Sequence, residues 1–87
     1  MFDIIRQIIY KHNPLNFHPS KFDKYNSIIK DIATYISSEH ISEDFIKDKF
    51  IDNFGDSHII YQLKKNPNIY NFIYHDIINE SHRTKTN

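Results

Sequence analysis

The stretch Tyr25-Asn-Ser-Ile-Ile-Lys-Asp-Ile-Ala-Thr-Tyr-Ile36 carries the clearest helical pattern in this chain of 87 residues. Its apolar residues recur at intervals of three and four, the spacing that places side chains on one face of an α-helix. The pattern predicts an amphipathic helix at the centre of the fold, with this face buried. The predicted buried residues are Tyr25, Ile28, Ile29, Ile32, Tyr35 and Ile36.

A second helical pattern precedes this segment. Four isoleucines within the first ten residues predict an amphipathic helix, which Pro14 ends because proline disfavours helical geometry at the residue before it. Residues 14–20 contain two prolines together with Leu15 and Phe17. We therefore expect an extended connection that folds back over the core.

A third helix is marked at both ends. Ser42 can cap the free amides of the first turn, and Ile41 and Ile46 have the spacing of a hydrophobic staple around that cap. Gly55, the only glycine, follows where a left-handed C-terminal cap is expected. The predicted buried face consists of Ile46, Phe50 and Phe54.

Two further helices are predicted after Gly55. Asp56 or Ser57 can cap a short helix, and Asn66 and Pro67 can end it and begin the next one, as cap and first helical residue. Residues 81–87 are expected to form a disordered tail. The predicted buried residues are Ile59, Ile60 and Leu63 in the fourth helix, and Ile69, Tyr70, Ile73, Tyr74 and Ile77 in the fifth.

These patterns together predict an all-α fold, a single small bundle of four to five helices. No segment alternates for long enough with the period of two that a strand requires. We expect residues 1–80 to form the one helical domain. The length of 87 residues allows only one modest core. The chain has no cysteine, so packing alone must stabilise this core.

Composition excludes several classes of function. Eleven acidic residues balance eleven basic ones, and this neutrality argues against direct binding of nucleic acid, which usually selects a basic domain. No apolar run approaches the roughly 18 residues needed to cross a bilayer, and acidic Asp3 lies where a signal peptide would carry bases. We expect a cytoplasmic protein without membrane contact.

No catalytic or metal-binding motif is present. The histidines form no pair four residues apart and have no cysteine partners, so we expect them on the surface, with no metal and no cofactor. No serine lies in a Gly-x-Ser-x-Gly turn, and one glycine cannot build a phosphate-binding loop, so we predict that the protein is not an enzyme. The histidines are His12, His18, His40, His58, His75 and His82.

Acidic residues are concentrated between residues 36 and 56, where six acids and two lysines leave a local net charge of −4. Asp44, Asp48 and Asp52 recur every four residues, which stacks like charges on a helix and costs a few tenths of a kcal/mol per pair. This face is either the solvated side of an amphipathic helix or a binding surface for a basic partner. The candidate partner-binding residues are Glu43, Asp44, Asp48, Asp52, Asp56 and Tyr61; Glu39 belongs to the same acidic stretch.

Three motifs also follow one another in a familiar order. They are Ile-Ile-Tyr-Lys-His-Asn-Pro-Leu at 8–15, Lys-Phe-Asp-Lys-Tyr-Asn-Ser-Ile-Ile at 21–29, and Ile-Ser-Glu-Asp-Phe-Ile with Phe-Ile-Asp-Asn-Phe-Gly within 41–55. In this order they resemble a family of small helical bacterial proteins that have Trp-Asp-Pro-Ile, Glu-Tyr-Asp and Phe-Gly at these places. The chain departs from that pattern at His12, Asn13, Lys24 and Asn26.

Several members of that family stand beside polymorphic toxins as immunity proteins, including those of contact-dependent growth inhibition. The resemblance implies a cytoplasmic inhibitor that binds a cognate toxin domain. We expect the free protein to be a monomer. A nuclease is the expected toxin, because the cleft that binds its polyanionic substrate is basic and would fit an acidic face. The alternative is a non-enzymatic regulatory or structural module that acts as a helical homodimer.

Overall fold

The part of the chain that the structure describes forms five α-helices and one 3-10 helix, and it contains no strand. The computed structural model describes residues 2–36 and 41–85, with side chains as far as Ser81. The predicted all-α small bundle is confirmed. The elements are α1 (Phe2–His12), a 3-10 helix (Pro19–Tyr25), α2 (Asn26–Ile36), α3 (Glu43–Phe54), α4 (Asp56–Lys65) and α5 (Ile69–Lys85).

One continuous core lies between the helices. Helix α1 packs against α2 and α5, and α3 packs against α2, α4 and α5. The radius of gyration is 12.4 Å, close to the value of about 12 Å expected for a compact domain of this length. The buried residues are Ile5, Ile8, Ile9, Leu15, Tyr25, Ile28, Ile29, Ile32, Ile36, Ile46, Phe50, Ile59, Ile69, Tyr70, Ile73 and Ile77.

The predicted buried faces are mostly confirmed, with two residues exposed and three half-buried. Tyr35 lies at the edge of the α2 face and is 44% exposed. Ile60 is 53% exposed, because the face of α4 that meets the core centres on Ile59. The half-buried residues, which pack against the core from its margin, are Phe54, Leu63 and Tyr74.

The connection after α1 is held over the core by the side chain of Asn13. Its Nδ2 donates to the carbonyl of Phe17 at 2.8 Å, and its Oδ1 accepts from Phe17 N at 2.9 Å. The same oxygen accepts from the Tyr25 hydroxyl at 2.6 Å, while that hydroxyl accepts from Leu15 N at 3.0 Å. Pro14 and Leu15 are buried, so the expected return over the core is confirmed.

The two ends of α3 are built largely as expected. Ser42 Oγ accepts from Phe45 N at 3.0 Å, which confirms the cap. Gly55 N donates to the carbonyl of Ile51 at 2.8 Å, and Gly55 has φ of 89° and ψ of 152°. The positive φ is confirmed, but this ψ lies outside the left-handed helical region and belongs to a conformation that essentially only glycine adopts.

Helix α4 begins directly at this glycine. Gly55 occupies the cap position of α4, and no side chain caps the helix. The prediction that Asp56 or Ser57 provides the cap is therefore wrong: Asp56 is already the first residue of α4. Gly55 is thus the single residue between α3 and α4, and it caps both helices.

The start of α5 also differs from the prediction. Asn66 and Pro67 belong to a turn in which the carbonyl of Asn66 accepts from Ile69 N at 3.2 Å. The carbonyl of Asn68 accepts from Phe72 N at 3.0 Å, so the helix begins two residues later than the expected proline. The helix continues through Lys85, past the boundary at residue 81 where a disordered tail was expected.

Candidate partner-binding surface

Asp44, Asp48 and Asp52 form a row along the exposed side of α3, which we call the acidic row. Successive members are about 6 Å apart along the helix axis, because each residue of an α-helix rises about 1.5 Å. Ile46 and Phe50, on the opposite side of α3, are fully buried. The acidic row is therefore carried by a helix that the core holds from behind.

The charge of the acidic row is largely uncompensated. Asp44 Oδ1 lies 4.0 Å from Lys47 Nζ, and both side chains are exposed. At this distance and exposure an ion pair contributes little. The side chains of Asp48 and Asp52 form no hydrogen bond or ion pair with any residue that the structure describes. Two carboxylates on successive turns of α3 thus face solvent, and no described cation pairs with them.

The other acidic candidates have their own surroundings. Glu43 Oε1 accepts from Asn71 Nδ2 at 2.8 Å, so this side chain links the start of α3 to α5. Asp56 is exposed at the first residue of α4, where a carboxylate suits the positive end of the helix dipole. Glu39 lies outside the described residues. The structure therefore brings together the three aspartates of the acidic row, with Glu43 at the edge of α3 nearest α5.

Tyr61 is exposed on α4, as a partner-binding residue must be, but its neighbour is a cation. The side chain is 56% exposed, and Lys65 Nζ lies 4.6 Å from the centroid of its ring. No hydrogen bond or ring contact joins Tyr61 to the acidic row among the residues described. Its role beside the acidic row stays a prediction.

An aromatic pair that the sequence did not indicate lies beside the acidic row. The rings of Tyr35 on α2 and Phe45 on α3 meet edge to face with centroids 4.9 Å apart. Lys49 Nζ lies 5.4 Å from each of the two centroids. Phe45 and Lys49 are four residues apart on α3, a spacing visible in the sequence, but Tyr35 comes from another helix and was expected in the core.

The groups with shifted pKa values lie away from this surface. Asp76 Oδ2 accepts from His12 Nε2 at 2.6 Å and from Lys11 Nζ at 3.1 Å. The hydrogen bond from His12, reinforced by Lys11, lowers the pKa of the Asp76 carboxyl below its ordinary value. His12 is half-buried, so the expectation of a solvated surface histidine is wrong at this position.

Burial is the largest influence on the pKa values of the two core tyrosines, Tyr25 and Tyr70. It raises the pKa of Tyr25 to about 12, against a smaller opposite effect of the hydrogen bond from Leu15 N. Burial likewise raises the pKa of Tyr70. Both hydroxyls therefore stay protonated at neutral pH, and the Tyr25 hydroxyl can donate to Asn13 at all physiological pH values.

Comparison with known proteins adds no relative. No protein-family model, curated protein or solved structure matches the chain. Within residues 2–36 and 41–81, no three histidine or carboxylate side chains are grouped so that they could hold a metal ion. No helix within residues 2–36 and 41–85 is both long and apolar enough to cross a membrane.

Proposed function

We propose that the protein is an immunity protein that binds and neutralises a cognate bacterial toxin domain, and that this toxin is a nuclease. In this proposal the acidic row covers the basic surface with which the toxin binds its substrate. The observation that carries the proposal is the exposure of Asp48 and Asp52 on a helix anchored by Ile46 and Phe50, where neither carboxylate forms an ion pair with a described residue.

The physical argument is one of charge and rigidity. A nuclease cleft is positive because its substrate is a polyanion. An acidic surface accelerates encounter with such a cleft and discriminates against other partners. Because α3 is already ordered, presenting the carboxylates requires no folding on binding, which lowers the entropic cost of association.

The remaining elements of the proposal concern the rim and the compartment. Glu43 and Tyr61 are proposed to fix the register of the complex. Asp56 is proposed to extend the negative field of the acidic row onto α4. The proposed site of action is the cytoplasm, where an inhibitor would meet the toxin before the toxin damages its producer. Cofactors and catalysis by this chain have no part in the proposal.

The first test uses the neighbouring reading frame. We expect the frame immediately upstream to encode a large secreted protein whose C-terminal domain stops growth when it is expressed alone. Co-expression of this chain should restore growth, and the two purified proteins should elute together from a sizing column. A toxic domain that neither binds this chain nor is neutralised by it would contradict the proposal.

The second test addresses the mechanism. The triple variant D44N/D48N/D52N should associate with that toxin domain more slowly than the wild type, and the rate should depend less on salt. The control D3N/D23N/D31N removes the same number of charges elsewhere and should retain the wild-type salt dependence. Equal association rates for the wild type and the first variant would remove the acidic row from the mechanism, whereas protection of growth could persist.

A second candidate function is a non-enzymatic regulatory or structural module that acts as a homodimer. The exposure of two large apolar side chains favours it: Ile60 is 53% exposed and Phe72 is 49% exposed. A tight dimer of the free chain, together with no binding to the neighbouring toxin domain, would favour this candidate over the first.

A further inference from the structure

Lys49 shows where a cation can bind on this surface. Its ammonium lies 5.4 Å from the ring centroids of both Tyr35 and Phe45, within the range of a cation–π interaction. The rings are accessible, since Tyr35 is 44% exposed and Phe45 is half-buried. The two rings together therefore form one cation position at the surface.

The Lys49 ammonium contacts the aromatic rings instead of the nearby carboxylate of Asp52. Asp52 is three residues further along α3, within reach of a helical ion pair with Lys49. Within the described ranges, however, Lys49 forms no ion pair within 4.0 Å, and its ammonium lies against the rings instead. The carboxylate of Asp52 therefore stays exposed to solvent, while the Lys49 ammonium occupies the position on the two rings.

The aromatic position and the acidic row are adjacent on the helix surface. Phe45 and Asp48 are three residues apart, as are Lys49 and Asp52, and such pairs are neighbours on an α-helix. A cation held on the rings would thus have carboxylates on neighbouring turns of α3, although the Lys49 ammonium at this position lies more than 4.0 Å from both of them. A guanidinium suits this combination better than an ammonium, because its plane stacks on aromatic rings while its N–H groups donate to carboxylates.

We propose that Tyr35, Phe45, Asp48 and Asp52 form a binding site for an arginine side chain of the partner, and that Lys49 occupies this site in the free protein. On binding, the guanidinium replaces the ammonium on the rings, and Lys49 moves to solvent. The identity of the partner rests on the proposed function, whereas the preference for arginine belongs to this chain alone.

The test therefore uses a peptide instead of the toxin. An N-acetylated, C-amidated tri-arginine peptide is titrated into the protein, and binding is followed by NMR shifts of the Tyr35 and Phe45 ring protons. The tri-lysine peptide of equal charge is the matched probe. We expect tri-arginine to bind about two- to fivefold more tightly, a gain no larger than one exposed cation–π contact, because only a guanidinium stacks on the rings while donating to carboxylates.

Three variants separate the rings from the charge. Tyr35→Leu keeps an apolar side chain but removes the ring, and it should abolish the preference for arginine. Lys49→Ala and Lys47→Ala each remove one positive charge from α3, so any purely electrostatic gain in peptide affinity should be similar in both. Lys49→Ala alone also vacates the rings, and it should increase affinity for tri-arginine at least about twofold more than Lys47→Ala does.

Equal affinities for the two peptides, or equal gains from Lys49→Ala and Lys47→Ala, would overturn the arginine site. Either result would leave the proposed function in place if the toxin domain still binds. Conversely, a clear preference for arginine without any toxin partner would sustain the site and contradict only the identity of the partner.

Discussion

Asn13 and Tyr25 have structural roles that their chemistry explains. Asn13 has φ of 44°, a left-handed conformation that asparagine tolerates better than most residues. Its amide both donates to Phe17 O and accepts from Phe17 N. A carboxylate could accept but could not donate to that carbonyl. Asparagine at this position therefore satisfies both backbone groups of Phe17, which an aspartate could not do.

The hydroxyl of Tyr25 should be important for stability. Tyr25→Phe leaves the buried Leu15 N–H without its acceptor and Asn13 Oδ1 with one donor fewer. We expect the free energy of unfolding to fall by about 1–3 kcal/mol, the cost of an unsatisfied buried polar group. Urea denaturation measures this.

The control for that change is Tyr10→Phe. The Tyr10 hydroxyl forms only an exposed hydrogen bond of 3.4 Å to Asn26 Oδ1. Its removal should change stability by less than about 0.5 kcal/mol, as is usual for surface positions. Equal losses from the two variants would mean that the network around Asn13 contributes no more than a surface contact.

The lowered pKa of Asp76 predicts that acid destabilises the fold. Its pKa is lower in the folded protein than its ordinary value, because His12 and Lys11 donate to the carboxylate. The stabilisation is therefore present above about pH 4, the ordinary pKa of aspartate, and is lost as pH falls through the folded-state pKa. Asp76→Asn should be less stable than the wild type at pH 6, and the difference should shrink towards pH 3.

Thermal unfolding at a series of pH values checks this expectation. Asp23→Asn is the control, since the exposed Asp23 side chain forms no ion pair among the described residues, and it should follow the wild-type curve. A difference between Asp76→Asn and wild type that is the same at pH 6 and pH 3 would show that the ion pairs with His12 and Lys11 do not stabilise the fold.

At the scale of the helices, local signals were sufficient where a single residue determines the boundary. Ser42 predicted the start of α3 because its Oγ can reach an amide three residues away. The prediction that α5 begins at Asn66 and Pro67 was wrong, because asparagine and proline are common both in turns and at the starts of helices. The hydrogen bond from Ile69 N to the carbonyl of Asn66 shows that they form a turn here. Burial at the edge of a face, as at Tyr35, depends on the neighbouring helix and cannot be read from spacing.

The candidate site was predictable to a similar extent. The acidic row was visible because a spacing of four residues places side chains on one face of a helix. The bond of Glu43 to Asn71 joins residues 28 positions apart, and the contact of Tyr35 with Phe45 joins two helices. No local pattern predicts such pairings, so the acidic row was found and the aromatic pair beside it was missed.

The acidic row should destabilise α3 slightly. Asp48 has a like charge four residues away on both sides, and each such pair costs about 0.2–0.5 kcal/mol. Asp48→Asn should therefore raise the free energy of unfolding by up to about 1 kcal/mol at low salt, with little change in helix propensity. Added salt should narrow the difference, because it screens exposed charges.

Urea denaturation of Asp48→Asn at two ionic strengths tests this, with Asp23→Asn as the control outside α3. A gain in stability on removal of Asp48 would mean that folding alone does not require the acidic row, as expected of a surface kept for a partner. A loss of stability would instead assign Asp48 a structural role and would weaken the proposed function.

At the scale of the whole molecule, contacts distant in the sequence define how the helices pack. Helix α1 lies against both α2 and α5, and Lys11 and His12 at its end meet Asp76, which is more than sixty residues away. The sequence indicated which faces are apolar, but loop lengths allowed more than one packing of those faces. The order of the helices in space therefore came from the structure alone.

The free chain should be a monomer. Among the described residues, the exposed large apolar side chains are Phe2, Tyr35, Ile60, Tyr61 and Phe72, which belong to four different helices. Single exposed apolar residues are normal on a monomer, whereas a stable dimer needs a contiguous apolar patch. Sedimentation equilibrium should give the monomer mass of 10.5 kDa at micromolar concentration.

The double variant I60S/F72S decides between the two candidate functions if association is seen. These are two of the most exposed apolar residues, and neither is part of the acidic row or the aromatic pair. If the wild type is a monomer, the variant should have the same mass and the same affinity for the toxin domain. A wild-type dimer that dissociates in this variant would instead identify α4 and α5 as a self-association surface and favour the homodimeric module.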